Sequence, residues 1–442
     1  MYTREQITAM VEQENVEFIR LQFTDLFGKL KNVAVTARQL EKAMDGQCYF
    51  DSTSITAFQD MINTDLYLQP DLSTFVIFPW RPMQGKVARM LCELKTTDGK
   101  TFDGDSRAIL KKVIAQGKEL GYTAFVRPEI EFFLLRTDDR GLPTTESMEK
   151  ASYFDIGPLD QGEDARRDVV LTLHDMGIEV ESSFHETAPE QHEVVLTTAE
   201  ALEAADNIVT FRMAAKAVAA RHGLHATFMP KPVYGQNGSG MHLEIKLYDH
   251  NGLSVFDDEN DPYGLSETAY CFIAGILEHA TGMMLITNPL VNSYKRFVPG
   301  SDAPLFVGWS DLDSSQMVRI VKKKGGSIRM EILTPDPSAN PYLTVAALLA
   351  AGFEGIRKKM RAPEKVSRNF EYEQRSVWEE HGMKKLPTNL RLAVDTFGED
   401  ALMKQMLGDK FFAEYQSAKH REWDEFREQV TKWELDRYLS QY

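Results

Sequence analysis

Residues 126–135, VRPEIEFFLL, set two glutamates one residue apart in a run of aliphatic and aromatic neighbours. As a strand, the stretch puts Glu129 and Glu131 on one face and Ile130 on the other, because side chains alternate across a pleated strand. Two carboxylates so close repel, and one is driven toward protonation unless a cation or a donor sits between them. An ordinary strand with one wet face and a strand offering oxygen ligands to a cation both fit these ten residues. The rest of the chain decides between them.

Outward from this strand the pattern recurs. In HETAPEQHEVV, residues 185–195, Glu186 and Glu193 flank Pro189, which breaks any regular face but permits a bend that turns both side chains inward. His242 follows two glycines in NGSGMHLEI, residues 237–245, and enters an alternating strand. Glu331 lies in GSIRMEIL, residues 326–333, sharing one strand face with Arg329 and Leu333. A bound hard cation such as Mg²⁺ or Mn²⁺ reconciles repeated glutamates with apolar strands, since coordination avoids several kcal/mol of desolvation cost. The residues point to a metal-assisted enzyme without naming its reaction.

The chain has 442 residues, 43% hydrophobic and 26% charged, enough for a sizeable core and two domains. Fifty basic against 66 acidic residues leave a net charge of -16, which argues against nucleic acid as a partner. An anionic substrate would need local arginines or divalent ions to hold it. Cys48, Cys92 and Cys271 lack metal-site spacing, and the opening MYTREQITAM carries no apolar leader. No stretch reaches the roughly 20 apolar residues that span a bilayer. The expectation is a cytoplasmic protein without membrane contact.

The pattern of elements is α+β. Thr3 and Gln6 have capping-box spacing before a short helix, and VEFIRLQFTDLFGKLKNVAVT forms a hairpin around Gly28. Further strands are expected at STFVIFPW and KVARMLCEL, before the polar break TTDGKTFDGD. This places a small mixed domain at residues 1–102 and a larger one at 103–442. The larger opens with the helix DSRAILKKVIAQGKELG, ended by Gly121, and is loop-rich over 140–165. After the helix ARRDVVLTLHDMG and the strand HEVVL, a long helix is expected from TAEALEAADNIV to AARHG, opened by Thr197 with Glu200 and closed by Gly223. Single helices are expected at SETAYCFIAGILEHATGMMLI and YLTVAALLAAGFEGIRKKM. The tail is amphipathic enough to pack Trp423, Phe426, Val430 and Trp433 on a surface.

Taken together, RLQFTDLFGKLKNV, YFDSTSITAF, YLQPDLSTFVIFPW, EIEFFL, YFDIGPLDQGEDARRD, NGSGMH, NSYKRFVPG and PDPSANPYL resemble the glutamine synthetase family in its bacterial type I form, over nearly the whole chain. The resemblance implies a β-grasp-like N-terminal domain followed by a large catalytic domain. It implies active sites formed between subunits of a homo-oligomer, a dodecamer of two hexameric rings. Two divalent ions, Mg²⁺ or Mn²⁺, would be held by Glu131, Glu186 and Glu193, and by Glu129, His242 and Glu331. ATP would be the co-substrate that activates the side-chain carboxylate of glutamate as an acyl phosphate for attack by ammonia. Asn237, Gly238 and Arg296 match substrate-binding positions, Arg296 gripping a carboxylate; Arg319 and Arg329 match positions near the nucleotide phosphates. Asp51 matches the acidic group that a neighbouring subunit offers at the ammonium site.

Departures from the family pattern gather around the chemistry. Asp302, in GSDAP, stands where a mobile flap ordinarily carries a catalytic glutamate, one methylene longer. Ser314 and Leu333 stand at arginine positions, Phe184 replaces a histidine before Glu186, and Glu244 and Lys246 replace residues common beside the nucleotide. Each charge-assisted hydrogen bond lost with an arginine costs roughly 1.5–3 kcal/mol unless other groups, such as Lys322, Lys323 and Lys324, compensate. Three functions fit this pattern. The first is glutamine synthesis; the second is ligation of a different acid or amine; the third is a catalytically weak paralogue with a role in regulation or in binding a regulatory protein.

Overall fold

The computed structural model describes residues 2–57, 64–80, 84–147, 149–312, 315–322 and 326–442. Five strands, β1 (Val16–Thr24), β2 (Leu30–Thr36), β3 (Cys48–Asp51), β4 (Asp65–Ile77) and β5 (Lys86–Lys95), form one sheet in the order β2-β1-β5-β4-β3. The β1–β2 hairpin turns at Gly28, whose φ of +82° favours glycine. β1 lies parallel to β5, and the remaining neighbours are antiparallel. The first helix, Arg4–Gln13, starts with the anticipated capping box at Thr3 and Gln6. STFVIFPW supplies only the end of β4, whose start in DLYLQPD pairs across to β5 and β3.

The second sheet has ten strands: β6 (Thr123–Arg136), β7 (Val180–His185), β8 (Gln191–Leu196), β9 (Ala199–Glu200), β10 (Leu224–Thr227), β11 (Met241–Tyr248), β12 (Phe306–Ser310), β13 (Gln316–Lys322), β14 (Ile328–Ile332) and β15 (Lys384–Lys385). Its main path runs β15-β12-β13-β14-β11-β6-β8-β7, with β9 and β10 also paired to β6. Helices Ser106–Glu119, Ala201–Arg221 and Pro341–Lys358 pack behind it, contributing to one apolar core that extends from Ile7 to Tyr415. The two sheets are docked tightly. Asn340 Nδ2 donates to the carbonyls of Asp25 and Leu26 at 3.1 and 3.3 Å, and Arg107 spans from Asp71 to Asp206 at 2.8 Å each.

Two helical expectations are corrected. The long helix begins at Ala201, not after Thr197: Thr197 Oγ1 bonds the carbonyl of Glu179, and Ala199–Glu200 is drawn into the sheet as β9. Gly223, at φ +70°, does end that helix. SETAYCFIAGILEHATGMMLI is two helices, Glu267–Glu278 and Ala280–Thr287, bent by 71° at His279. His279 is held there by Asp400 and Glu354, partners remote in sequence. The tail forms the helices Ala401–Arg427 and Lys432–Tyr438, and of the four residues expected to pack, Trp423 lies on the core. Phe426, Val430 and Trp433 are 36%, 69% and 59% exposed. Among the described residues, no single helix is long and apolar enough to cross a membrane.

Candidate active site

Strand pairing assembles the site directly. In β6, Glu129 stands opposite His242 of β11, and Glu131 opposite Glu193 of β8. Glu331 of β14 pairs with Glu244 of β11 and Arg319 of β13. The bend between β7 and β8 turns Glu186 to the same side. All six anticipated ligands, Glu129, Glu131, Glu186, Glu193, His242 and Glu331, therefore line one cleft of about 430 Å³, together with Tyr153, Phe184, Asp302, Pro304, Arg319 and Leu333.

One donor atom each from Glu129, His242 and Glu331 falls within 4.8 Å of the others. His242 Nδ1 is 3.7 Å from Glu331, and its Nε2 is 3.9 Å from Glu131. Burial lowers His242 to about 4, with Arg296 and Arg319 adding to the effect against Glu129, so the ring is a neutral donor at ordinary pH. In the second group, burial and the charges of its neighbours push Glu131 up to about 8 and Glu193 up to about 10. Carboxylates under such strain ionise when a cation is shared among them, and five carboxylates with one imidazole suit a hard divalent ion. The donor set thus fits Mg²⁺ or Mn²⁺.

The other anticipated residues are placed less uniformly. Arg319 is half-exposed on the cleft wall and pairs with Glu331. Arg329 is buried and donates to Glu244, which also receives Arg127 at 3.2 Å. Arg296 is fully buried, donating to the carbonyls of Thr334 and Pro335 at 3.2 and 3.4 Å, while its Nη2 has no partner among the described residues. A side chain at Gly238 or Gly240 would come within 2.6 or 2.9 Å of Arg296, so these two glycines keep the approach to the guanidinium open. Asn237 donates to Asp302 at the rim. Asp51 ends β3 in the small sheet, its carboxylate turned onto Thr53 at 2.8 Å, and it is not part of this cleft. Leu333 is buried in the cleft wall, and Lys322 lies beside Gly264 instead. Ser314, Lys323 and Lys324 fall outside the described residues.

Several contributors escaped the sequence reading. Gln191 Nε2 donates to Glu131 at 2.9 Å and to the Gly238 carbonyl at 3.0 Å, and the Gly240 N–H also donates to Glu131 at 3.0 Å. Its spacing of two from Glu193 on one strand was the available signal. Behind the bend, Asp160, His185 and His192 form a second, buried group of metal-compatible atoms. Arg166 fills it, with Nη1 2.6 Å from Asp160 and 2.7 Å from His192, so this group is a scaffold. Glu149 extends it, accepting from the backbone of Gln161 and Glu190 and lying 3.1 Å from His185.

Comparison with known proteins agrees with the geometry. Residues 15–97 match the family model for the glutamine synthetase beta-Grasp domain, and residues 103–438 match that for the glutamine synthetase catalytic domain. The chain is 49% identical over 441 residues to the glutamine synthetase of Clostridium saccharobutylicum, covering 100% of this chain and 99% of that protein. It is 46% identical to that of Staphylococcus aureus strain Mu50 over 442 residues, with the same coverage. Among solved structures, a GmaS/ADP complex superposes with a TM-score of 0.88 at 29% identity, and apo GmaS without ligand with 0.85 at 29%; each spans 98% of this chain and 99% of the other. With its small sheet, its ten-stranded catalytic sheet and full-length likeness to these relatives, the chain belongs to the glutamine synthetase family.

Proposed function

We propose that this chain is an ATP-dependent carboxylate–amine ligase whose default reaction joins glutamate and ammonia to give glutamine, ADP and phosphate through a γ-glutamyl phosphate. The observation that supports this reading is the convergence of the six anticipated ligand residues, from β6, β8, β11, β14 and the bend between β7 and β8, on one cleft. Glu131, Glu186 and Glu193, and Glu129, His242 and Glu331, would hold Mg²⁺ or Mn²⁺, whose positive charge would supply electrostatic stabilisation to phosphoryl transfer. Arg319 is the cationic side chain best placed to receive a phosphate. The unpartnered Nη2 of Arg296, behind Gly238 and Gly240, would take a substrate carboxylate, and Asn237 and Asp302 would close the rim. Asp51 would serve a neighbouring subunit's cleft in a homo-oligomer, of which the dodecamer of two hexameric rings is our preferred form. The domains would divide at residues 102 and 103.

One observation favours a second reading, ligation of a different acid or amine. Leu333 and Pro304 make part of the cleft wall apolar, where a guanidinium would grip anionic oxygens. Mass-spectrometric identification of the product, alongside ADP release, tests both readings. The first expects glutamine in step with ADP from the unaltered protein. The second expects another amide from the unaltered protein and a rise in glutamine in Leu333→Arg. ADP release without amide from any acid–amine pair would overturn both.

A further inference from the structure

A second cavity, of about 420 Å³, lies between β4 and β5 of the small sheet and the helix Ala201–Arg221, and none of its lining residues lines the cleft of the anticipated metal ligands. It sits where β4 leaves register with β5 between Asp71 and Val76. The Leu91 N–H donates there to the Thr74 hydroxyl at 2.8 Å instead of to a strand carbonyl. Across the gap stand the turn 176–178 and the first turns of the helix. Two buried arginines line this space, and they are satisfied unequally. Arg107, 4% exposed, donates to Asp206 and to Asp71 at 2.8 Å each. Arg89, 6% exposed, donates from Nη2 to the Thr210 hydroxyl at 2.8 Å, while its Nε and Nη1 have no partner among the described residues. Thr210 is neutral, and its own proton goes to the Asp206 carbonyl.

A guanidinium taken out of water with one hydrogen bond to a neutral hydroxyl is costly unless an anion completes it. Burial accordingly lowers the Arg89 pKa from its ordinary value, against the raising effect of Asp206 and Tyr342. We propose that the cavity is a binding site for a small organic monocarboxylate, whose oxygens take the open donors of Arg89 and whose apolar body lies on Phe75, Val76, Leu91 and Leu202. Guanidinium N–H groups suit carboxylate oxygens in geometry and charge. Phe75 and Leu91 are buried and Val76 and Leu202 half-buried, so the wall beside the arginines offers apolar area to a hydrocarbon group. Glu200 and Glu203 are exposed lining residues, and they oppose a second negative charge on the ligand. A plain short-chain acid and an apolar amino acid share the required chemistry, and the ammonium of the latter meets these glutamates.

The ligand would touch both parts of the chain, since Arg89 belongs to β5 and Leu202 to the helix of the catalytic domain. A molecule bound there favours the docked arrangement of the two, because anything that binds only that arrangement stabilises it by mass action.

Isothermal titration calorimetry of the assembled protein, in excess Mn²⁺, ADP and glutamate to occupy the cleft, tests this with isovalerate, leucine, glutarate and inorganic phosphate. Isovalerate or leucine should bind saturably, the tighter of the two identifying the source as a plain acid or an amino acid. Glutarate and phosphate should bind about tenfold more weakly or less. Arg89→Leu, which removes the donors without leaving a charge unpaired, should weaken the monocarboxylate by about tenfold or more. Glu203→Lys, at an exposed position, should bring glutarate to within about threefold of the monocarboxylate. This second variant decides alone if Arg89→Leu fails to assemble. No saturable binding of either monocarboxylate, tighter binding of glutarate or phosphate, or affinities that neither variant changes would overturn the proposal.

Discussion

Two neighbouring residues, Glu190 in the bend before β8 and Gln191 at the start of that strand, carry opposite consequences. Gln191 holds a carboxylate oxygen of Glu131 in place and ties it to the Gly238 carbonyl. Supports of this kind orient metal ligands, so Gln191→Ala is expected to weaken Mn²⁺ binding about 10- to 100-fold with the fold intact. Electron paramagnetic resonance of free Mn²⁺ would measure this, and an unchanged affinity would remove Gln191 from the site. Glu190, next to it, has a φ of +62°, is buried, and has an Oε1 without a partner among the described residues. Left-handed backbone costs a non-glycine residue roughly 1–2 kcal/mol. Glu190→Gly should therefore raise stability by about 1 kcal/mol, seen as a higher urea midpoint. A lower midpoint would mean that the Glu190 side chain and its hydrogen bond to Ser147 outweigh the strain.

Among the elements, the break at His279 is the most informative. Its Nδ1 is 2.9 Å from Asp400 and its Nε2 is 2.7 Å from Glu354, which joins two core helices to the residue that caps the helix Ala401–Arg427. Burial disfavours the charged ring, but the hydrogen bonds and charges of the two carboxylates outweigh it and raise the pKa above 6.5. The sign follows from linkage. Below the ordinary value both folded and unfolded histidines are charged, and the stabilisation is present in full. As pH rises through the raised folded value the proton is lost and the stabilisation goes with it. His279→Gln should thus destabilise more at about pH 5.5 than at about pH 8.5. Urea midpoints for both proteins at the two pH values check this; an equal gap at both would show that the ring acts only by packing.

For the whole molecule, the position of Asp51 bears on assembly. The small sheet is clamped to its own catalytic domain by Asn340 and Arg107, and Asp51 remains outside the cleft of its own chain. A site completed by a neighbour predicts that Asp51→Asn and Glu131→Gln chains, each nearly inactive alone, recover activity when dissociated and reassembled together. Random mixing should restore roughly a quarter of the unaltered activity, the fraction of interfaces at which an intact Asp51 meets an intact cleft. Native mass spectrometry should show particles larger than a dimer, with a dodecamer preferred. Mixed particles without recovery would mean that each cleft is complete within one chain.

Much of the site could be read before any fold was known. Period-two alternation put Glu129 and Glu131 on one face, Pro189 marked the bend that brings Glu186 and Glu193 together, and the glycines before His242 sit where Arg296 needs room. These features depend on the local geometry of a strand or turn, which neighbouring residues dictate. Other outcomes turned on partners remote in sequence, 75 to 121 residues away in the hydrogen-bonded cases. Arg329 shares a strand face with Glu331, yet Glu244 of the adjacent strand engages it. Thr197 gave up a helix cap when Ala199–Glu200 joined β6, and a helix that looked continuous broke where Asp400 and Glu354 flank His279. An aromatic cluster gathers Tyr153 and Phe154 from one loop and Phe184 from a strand. Sequence alone determined the strand that bears the candidate ligands and the chemistry of its side chains, because backbone periodicity acts over a few residues. Tertiary structure decided which charge meets which and which rings meet, because burial and Coulomb energy depend on distance in space.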